Sequence, residues 1–296
     1  MKHWGWRRWL IVPVWLFWTG AAVAEPAAVA TKRPFLWKVQ SDRGTAYLFG
    51  SLHAARPEMY PLDERIYRAF DDSDKLVLEA DISGEKVFGM AGQMLAKAMY
   101  PAGDSAEKHL SPATFEQLQA RCAKLGLPAA QFKPWFLAMM LEALALESAG
   151  MGMQHGMELH FLARGQGRKP ILELEGANAQ IDMLESLTDK EQDLFLKHTL
   201  ESVDKLGEAL EQMLAAWNAG DDQQLDKFLR ESLKEVPDFA SIYKKLFDDR
   251  NEKMAVKVEE YLNAGGTYFV VVGAGHLVGE TGLLQVLGKK YQVTRP

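Results

Sequence analysis

The stretch that decides the fold is YLFGSLHAARPEMYPL, residues 47–62. An apolar, β-like run ends there at Gly50, His53 follows three residues later, and the chain continues as a polar loop with two prolines. A second stretch, TYFVVVGAGHLVGETG (residues 267–282), repeats the pattern with Gly273 and His276. Because each histidine comes just after a predicted strand, we predict one site built from both halves of the chain.

Apolar patterns on either side of these stretches predict the other elements. Residues 35–52 predict a β-hairpin around the turn SDRG, and KLVLEAD (75–81) and KPILELEG (169–176) predict two further strands. Residues 85–165 and 177–262 are predicted to be mostly helical, and the chain closes with a helix and a short strand. This order predicts an α/β fold with a mixed central sheet flanked by helices, and a single domain over residues 25–296. The two strand-Gly-x-x-His halves hint at an internal duplication.

Two glutamates occupy the same position as the histidines. Glu79 ends the strand LVLE, and Glu175 ends ILELE. A carboxylate at the end of a buried strand is costly unless it is paired, hydrogen-bonded or bound to a metal. If the strands run parallel, both glutamates converge with His53 and His276 at one edge of the sheet, where open α/β sheets bind their ligands.

Three polar residues on predicted helices are further candidates. Arg250 is in phase with the apolar residues of its helix, Asn251 lies beside it, and Glu158 is in phase with Phe161. A charged group on an apolar helix face can form a buried ion pair, or it can act in the site. Arg250 can accordingly polarise a substrate carbonyl or hold the glutamates, and both alternatives stay open.

The spacing Gly-x-x-His has little weight without its position after a strand. A third example, Gly152 to His155, follows a predicted helix instead. Ser51 lies beside His53, but the chain has no G-x-S-x-G, P-loop, G-x-G-x-x-G or H-E-x-x-H motif. A single cysteine excludes an intramolecular disulfide and a Cys-rich zinc site, so histidines and carboxylates would have to hold any metal.

The first residues differ from the rest of the chain. A basic opening, MKHWGWRR, precedes an apolar run and the small-x-small sequence AVA at 22–24, which predicts a signal peptide over residues 1–24 and an exported, periplasmic or secreted protein. An uncleaved anchor is the alternative. The net charge of −6 argues against nucleic acid or an anionic membrane as the main partner.

Five separated motifs resemble the TraB/GumN family, which is related to the Tiki metalloproteases and to erythromycin-esterase-like proteins. They occur in the expected order over residues 35–293, and they are LWKV with YLFGSLHAARPEMYPL, KLVLEADI, ILELEGANAQIDML, RNEKM, and VVVGAGHLVGETGLLQVLGKKY. The resemblance implies a central sheet with flanking helices and an internal pseudo-repeat. For the Tiki branch it implies a divalent-metal site that hydrolyses peptide bonds, with manganese or cobalt as the usual activator.

The resemblance also implies which residues form the site. The matching positions are His53, Glu79, Glu175, His276, the pair Arg250–Asn251, and the acidic Glu158. From the chemistry of these groups we expect the two histidines and one of Glu79 and Glu175 to hold manganese or cobalt, with zinc as the alternative, and the other glutamate to act as general base. Arg250 or Asn251 would stabilise the oxyanion.

Two other functions stay open. The first is a metal-free hydrolase in which His53 is the general base, as in the esterase-like relatives. The second is a non-catalytic binding protein for a peptide signal, haem or a metal. For the hydrolase, the expected partner is a peptide or small-molecule substrate.

Overall fold

The computed structural model describes residues 33–296. The predicted signal peptide, residues 1–24, lies outside the described residues. Six strands form one sheet: β1 (Leu36–Gln40), β2 (Gly44–Ser51), β3 (Lys75–Leu78), β4 (Ile171–Glu173), β5 (Gly266–Gly273) and β6 (Gln292–Thr294).

Helices occupy most of the remaining chain. They are α1 (Glu64–Asp71), α2 (Glu85–Ala98), α3 (Pro112–Leu125), α4 (Pro134–Ser148), α5 (Met157–Gly165), α6 (Ala177–Glu185), α7 (Asp189–Ser202), α8 (Leu206–Ala219), α9 (Asp222–Glu235), α10 (Ala240–Tyr243), α11 (Asp249–Ala264), α12 (Ala274–Leu277) and α13 (Leu283–Gly288). A π-helical turn, Lys244–Asp248, joins α10 to α11. Within residues 33–296, we find no helix with the length and apolarity needed to span a bilayer.

The sheet is mixed, and its strand order is β4-β3-β5-β2-β1-β6. The four strands β4, β3, β5 and β2 are parallel, whereas β1 and β6 are antiparallel to their neighbours. The predicted α/β class, hairpin and parallel strands are therefore confirmed. The predicted strand KPILELEG is shorter than expected, since only Ile171–Glu173 pair with β3.

The core explains why the two longest strands lie side by side. β5 is buried on both faces from Tyr268 onward, and its Phe269 stacks on Phe49 of β2. Phe161 of α5 packs against both rings. A second apolar cluster lies among the helices, mainly α3, α4, α7 and α10. The sheet thus positions the strand ends, and the helices close over them.

Candidate active site

Four parallel strands bring the predicted site residues to one edge of the sheet. β2 and β5 pair along their whole length, and Ser51 lies opposite Gly273 in the register. His53 follows β2 by two residues, Glu79 directly follows β3, and His276 lies in the short helix α12 that follows β5. The shared direction of these strands is the reason that residues more than 200 positions apart in sequence meet.

Gly273 lies at the centre of this group. A Cβ atom built on it would lie 2.9 Å from Nε2 of His53, 3.4 Å from Oε1 of Glu79 and 3.6 Å from Cδ2 of His276. The backbone N–H of Gly273 donates to Oε1 of Glu79 at 2.7 Å. The two imidazoles and the carboxylate therefore surround a point that only a residue without a side chain leaves open.

His53 is oriented by Glu158. Its Nδ1 lies 2.7 Å from Oε1 of Glu158, and the hydroxyl of Ser51 donates to the same oxygen. Its Nε2 faces Glu79, 4.0 Å from Oε1. Burial by itself would lower the pKa of His53, but the negative charge of Glu158 and its hydrogen bond outweigh burial and raise the pKa.

His276 is held by a neutral partner. Its Nδ1 lies 2.6 Å from Oδ1 of Asn251, and its ring lies against that of Phe247. Burial, followed by the positive charge of Arg250, lowers the pKa of His276 to about 3, so this imidazole is neutral at physiological pH. Both histidines thus have Nδ1 fixed by an oxygen atom, in the way that metal-ligating and general-base histidines are oriented.

Glu79 is buried, and both of its oxygens are hydrogen-bonded. Oε2 accepts from Arg250 at 2.7 Å and from Gln180 at 3.1 Å, in addition to the Gly273 contact of Oε1. Burial would raise the pKa of Glu79, but His276, Arg250 and His53 lower it to about 2. At neutral pH, where His276 is uncharged, Arg250 is the cation that keeps this carboxylate ionised.

Glu175 lies one step further from the histidines. Arg250 donates from Nε to both of its oxygens, at 3.1 and 3.0 Å, and from Nη2 to Oε2 at 2.6 Å. Nη1 of Arg250 donates to the carbonyl of Leu246. Arg250 therefore directs its donors at the protein itself, and it joins the two glutamates that the sequence singled out. The predicted roles of Glu175 as ligand or base, and of Arg250 in binding an oxyanion, stay predictions.

Two cavities flank His53 and Glu79. The larger, about 270 Å³, also contacts Glu158 and extends to Met153 and Leu159. The smaller, about 100 Å³, extends past Arg250 toward the helices α4 and α6. A pocket of about 30 Å³, lined by Ser51, His53, Gly273 and His276 among others, lies between the histidines.

Sequence reasoning missed several residues that complete the site. Gln180 donates to Glu79, and Trp217 donates from Nε1 to the carbonyl of Gly50 at 2.7 Å. Gly156 approaches the backbone of His53 too closely to allow a side chain. Gln180 lies within the motif ILELEGANAQIDML, but nothing local marks its contact with Glu79 or that of Trp217 with Gly50, because each contact joins residues about 100 or more positions apart.

The site has features that count against metal binding and features that favour it. Among residues 33–296, no three or more His, Cys, Asp and Glu side chains stand as a group that could hold a metal ion. The donor types nevertheless suit one, because two imidazoles with fixed Nδ1 atoms and an ionised carboxylate surround Gly273. A separation of 4.0 Å between His53 Nε2 and Glu79 Oε1 is also within the reach of two ligands that each lie about 2.0–2.2 Å from one ion.

The fold and the site define an α/β protein with a histidine–carboxylate centre at the carboxyl ends of parallel strands. The chain belongs to the TraB/PrgY/gumN family, whose model matches residues 35–295. It is 31% identical over 246 residues to the uncharacterized protein YbaP of Shigella flexneri, with 82% of this chain and 87% of that protein covered. YbaP of Escherichia coli K12 is similar, with 31% identity over 245 residues and coverages of 81% and 87%. No solved structure gives a significant match.

Proposed function

We propose that this protein is a metal-dependent hydrolase, specifically a peptidase, with its reaction centre at Gly273. One observation carries the proposal. Two imidazoles and an ionised carboxylate, from three different strand ends, surround the open point beside Gly273. The ion pair with Arg250 is enough to satisfy the buried carboxylate of Glu79, so a structural role alone does not require two imidazoles to meet it beside a cavity.

In this proposal His53, His276 and Glu79 would hold the metal, and Glu158 and Asn251 fix the two imidazoles. A divalent ion bound there would supply a polarised carbonyl and an acidified water. Arg250 keeps Glu79 ionised by direct contact. Glu158 is placed to take up a proton through Ser51, because the Ser51 hydroxyl lines the small pocket and donates to that carboxylate.

The remaining contribution of the chain to hydrolysis is the transfer of a proton. The oxygen of a water molecule forms a bond to the substrate carbonyl carbon, and one water proton passes by way of the Ser51 hydroxyl to Glu158. The bond to the amine breaks, and that proton leaves with the amine. Glu175 supports this arrangement as the second carboxylate on Arg250.

Metal analysis of the purified protein, combined with peptidase assays, tests the proposal. We expect stoichiometric manganese, cobalt or zinc, lost in a His53→Ala/His276→Ala double variant, and cleavage that stops on chelation and returns with the metal. His155→Ala is the matched control, because His155 has the same Gly-x-x-His spacing but lies in the turn Met153–His155, outside the strand ends. Equal loss of metal in His155→Ala and in the double variant would contradict the proposal.

A metal-free hydrolase is the second candidate, and the contact between His53 and Glu158 favours it. A carboxylate on Nδ1 that raises the pKa of His53 is the arrangement of a general base, with Nε2 accepting the proton of water. Full activity after exhaustive chelation, abolished by His53→Ala, would establish this function in place of the first. A retained metal without turnover across a peptide library would instead support a binding protein.

We also propose that the chain is exported, on the basis of its first 24 residues. Fractionation of cells that produce the full chain should place the protein outside the cytoplasm with Glu25 as its first residue, as determined by amino-terminal sequencing. An intact amino terminus in the membrane fraction would identify the alternative, an uncleaved anchor.

A further inference from the structure

The two cavities beside His53 and Glu79 are apolar, and the same helix borders both. Helix α2 contributes Val87 and Met90 to the larger cavity and Met90 and Met94 to the smaller one. The cavities share six lining residues, namely His53, Glu79, Ala80, Ile82, Met90 and Gln180. They therefore form one cleft beside His53 and Glu79, with Met90 lining both parts, and the two parts extend toward Met153 and Leu159 and toward α4 and α6.

Apolar side chains in this cleft are left uncovered. Met153 and Leu159, which line the larger cavity, are 40% and 39% exposed. The smaller cavity is bordered by the partly buried Met139 and Met183. A ligand that covers these side chains gains the free energy of burying apolar surface, and flexible methionines adapt to side chains of different shape.

We propose that this cleft binds an extended peptide with an apolar side chain on each side of the reacting bond. The cleft widens from a part of about 100 Å³ to one of about 270 Å³, which suits a small and a large side chain, whereas an acyl chain has an even width along its length. The carboxamides of Gln154 and Gln180 line the larger cavity and can hydrogen-bond a peptide backbone. The inference rests on the proposed hydrolase for the meaning of the reacting bond, and the binding itself is separable from it.

The test uses fluorescein-labelled 12-residue peptides whose central bond is replaced by a methyleneamino link, so that binding is measured without cleavage. We expect a Leu-Ala centre to bind at least about 10-fold more tightly than an Asp-Ala centre, from the apolar area lost. Met90→Gln should weaken the Leu-Ala peptide about fivefold and leave the Asp-Ala peptide unchanged. Phe88→Gln is the matched control, because Phe88 lies on the same helix but is 78% exposed and lines neither cavity.

Equal binding of both peptides, or an equal effect of Phe88→Gln and Met90→Gln, would overturn the proposal. Dodecanoate that binds more tightly than either peptide and is displaced by neither would identify an acyl site and overturn it as well. Cleavable versions of the peptides separate the two proposals. The expected binding without hydrolysis, with or without added manganese, cobalt or zinc, supports the cleft and refutes the hydrolase, whereas hydrolysis without preference for Leu-Ala does the reverse.

Discussion

The two strand-end segments share a sequence pattern but use it differently. At Gly50 a Cβ atom would overlap the ring of Phe35 and approach Leu277, so this glycine is required by the core. At Gly273 a Cβ would instead meet Nε2 of His53 and Oε1 of Glu79. The first glycine lets the sheet pack, and the second lets the site groups meet. The same two residue types at the same spacing therefore do not imply the same role.

The two histidines differ in the same way. His53 has a carboxylate on Nδ1, and its pKa is raised, whereas His276 has an amide oxygen on Nδ1, and its pKa is lowered to about 3. Only the residues that pack against each imidazole set this difference, because the preceding Gly-x-x sequence is shared. The centre thus combines one imidazole that readily holds a proton with one that stays neutral.

We expect the largest effect from a substitution of Arg250, which joins Glu79 and Glu175. Arg250→Met removes the cation that contacts both Glu79 and Glu175, and Glu79 is then left with His53, 4.0 Å away, as its ion-pair partner. We expect a loss of about 3–5 kcal/mol in the free energy of unfolding, measured by urea denaturation.

Arg121→Met is the control for that variant. Its ion pair with Asp204 is at the surface, so we expect a change of about 1 kcal/mol or less. Similar losses of stability in the two variants would show that the buried contacts of Arg250 with Glu79 and Glu175 stabilise the fold no more than a surface ion pair does.

Gly273→Ala should mainly affect the reaction. The added methyl group must displace the imidazole of His53, because it would lie 2.9 Å from Nε2, and its contact with Oε1 of Glu79 at 3.4 Å leaves that imidazole no room on the Glu79 side. A displacement of catalytic groups by about 1 Å commonly costs about 100-fold in rate, so we expect a loss of that size in kcat/KM. Wild-type activity in a folded Gly273→Ala protein would show that the reaction centre does not lie beside Gly273.

Gly50→Ala should do the opposite. The methyl group collides with the Phe35 ring rather than with a site residue, so we expect about 2 kcal/mol of destabilisation by overpacking. The rate per folded molecule should be close to that of the wild-type protein. Thermal unfolding measures the loss of stability, and the assay on the folded fraction measures the rate per folded molecule. A lower rate per folded molecule would show that Gly50 and Gly273 have the same role.

We expect the smallest and most selective effect on the pH dependence of stability, measured on protein from which a chelator has removed any metal. Because the pKa of His276 is lowered to about 3 in the fold, the unfolded chain binds its proton first, and the contribution of His276 to stability is lost as pH falls from about 6.5 toward 3. The pKa of His53 is raised, so its contribution is full below about 6.5 and is lost as pH rises through the folded value.

Single substitutions to glutamine check these signs. Relative to wild type, His276→Gln should lose less stability on acidification, and His53→Gln should gain less. Denaturation midpoints at a series of pH values measure both effects. The same sign in both variants would contradict the difference between the two imidazole environments.

The sequence by itself determined the elements and their order. Alternating and continuous apolar runs are local signals, so the hairpin, the buried strand at 266–273 and the α/β class could be predicted from them. The position of His53, Glu79 and His276 at strand ends could be predicted too, because parallel strands end at one edge. Helix phase added the candidates Arg250 and Glu158, with Asn251 beside Arg250, and the family motifs include the same residues, but neither signal specifies what each residue contacts.

Only the tertiary structure decided how those residues are paired. The insertion of β5 between β2 and β3, the register that sets Ser51 opposite Gly273, the pairing of Glu175 with Arg250 and the apolar cleft under α2 all depend on contacts between distant segments. A local pattern specifies which face of a strand is apolar, but it does not specify which strand lies beside it. Burial then sets the charges, because each pKa in the centre depends on neighbours that the fold brings together.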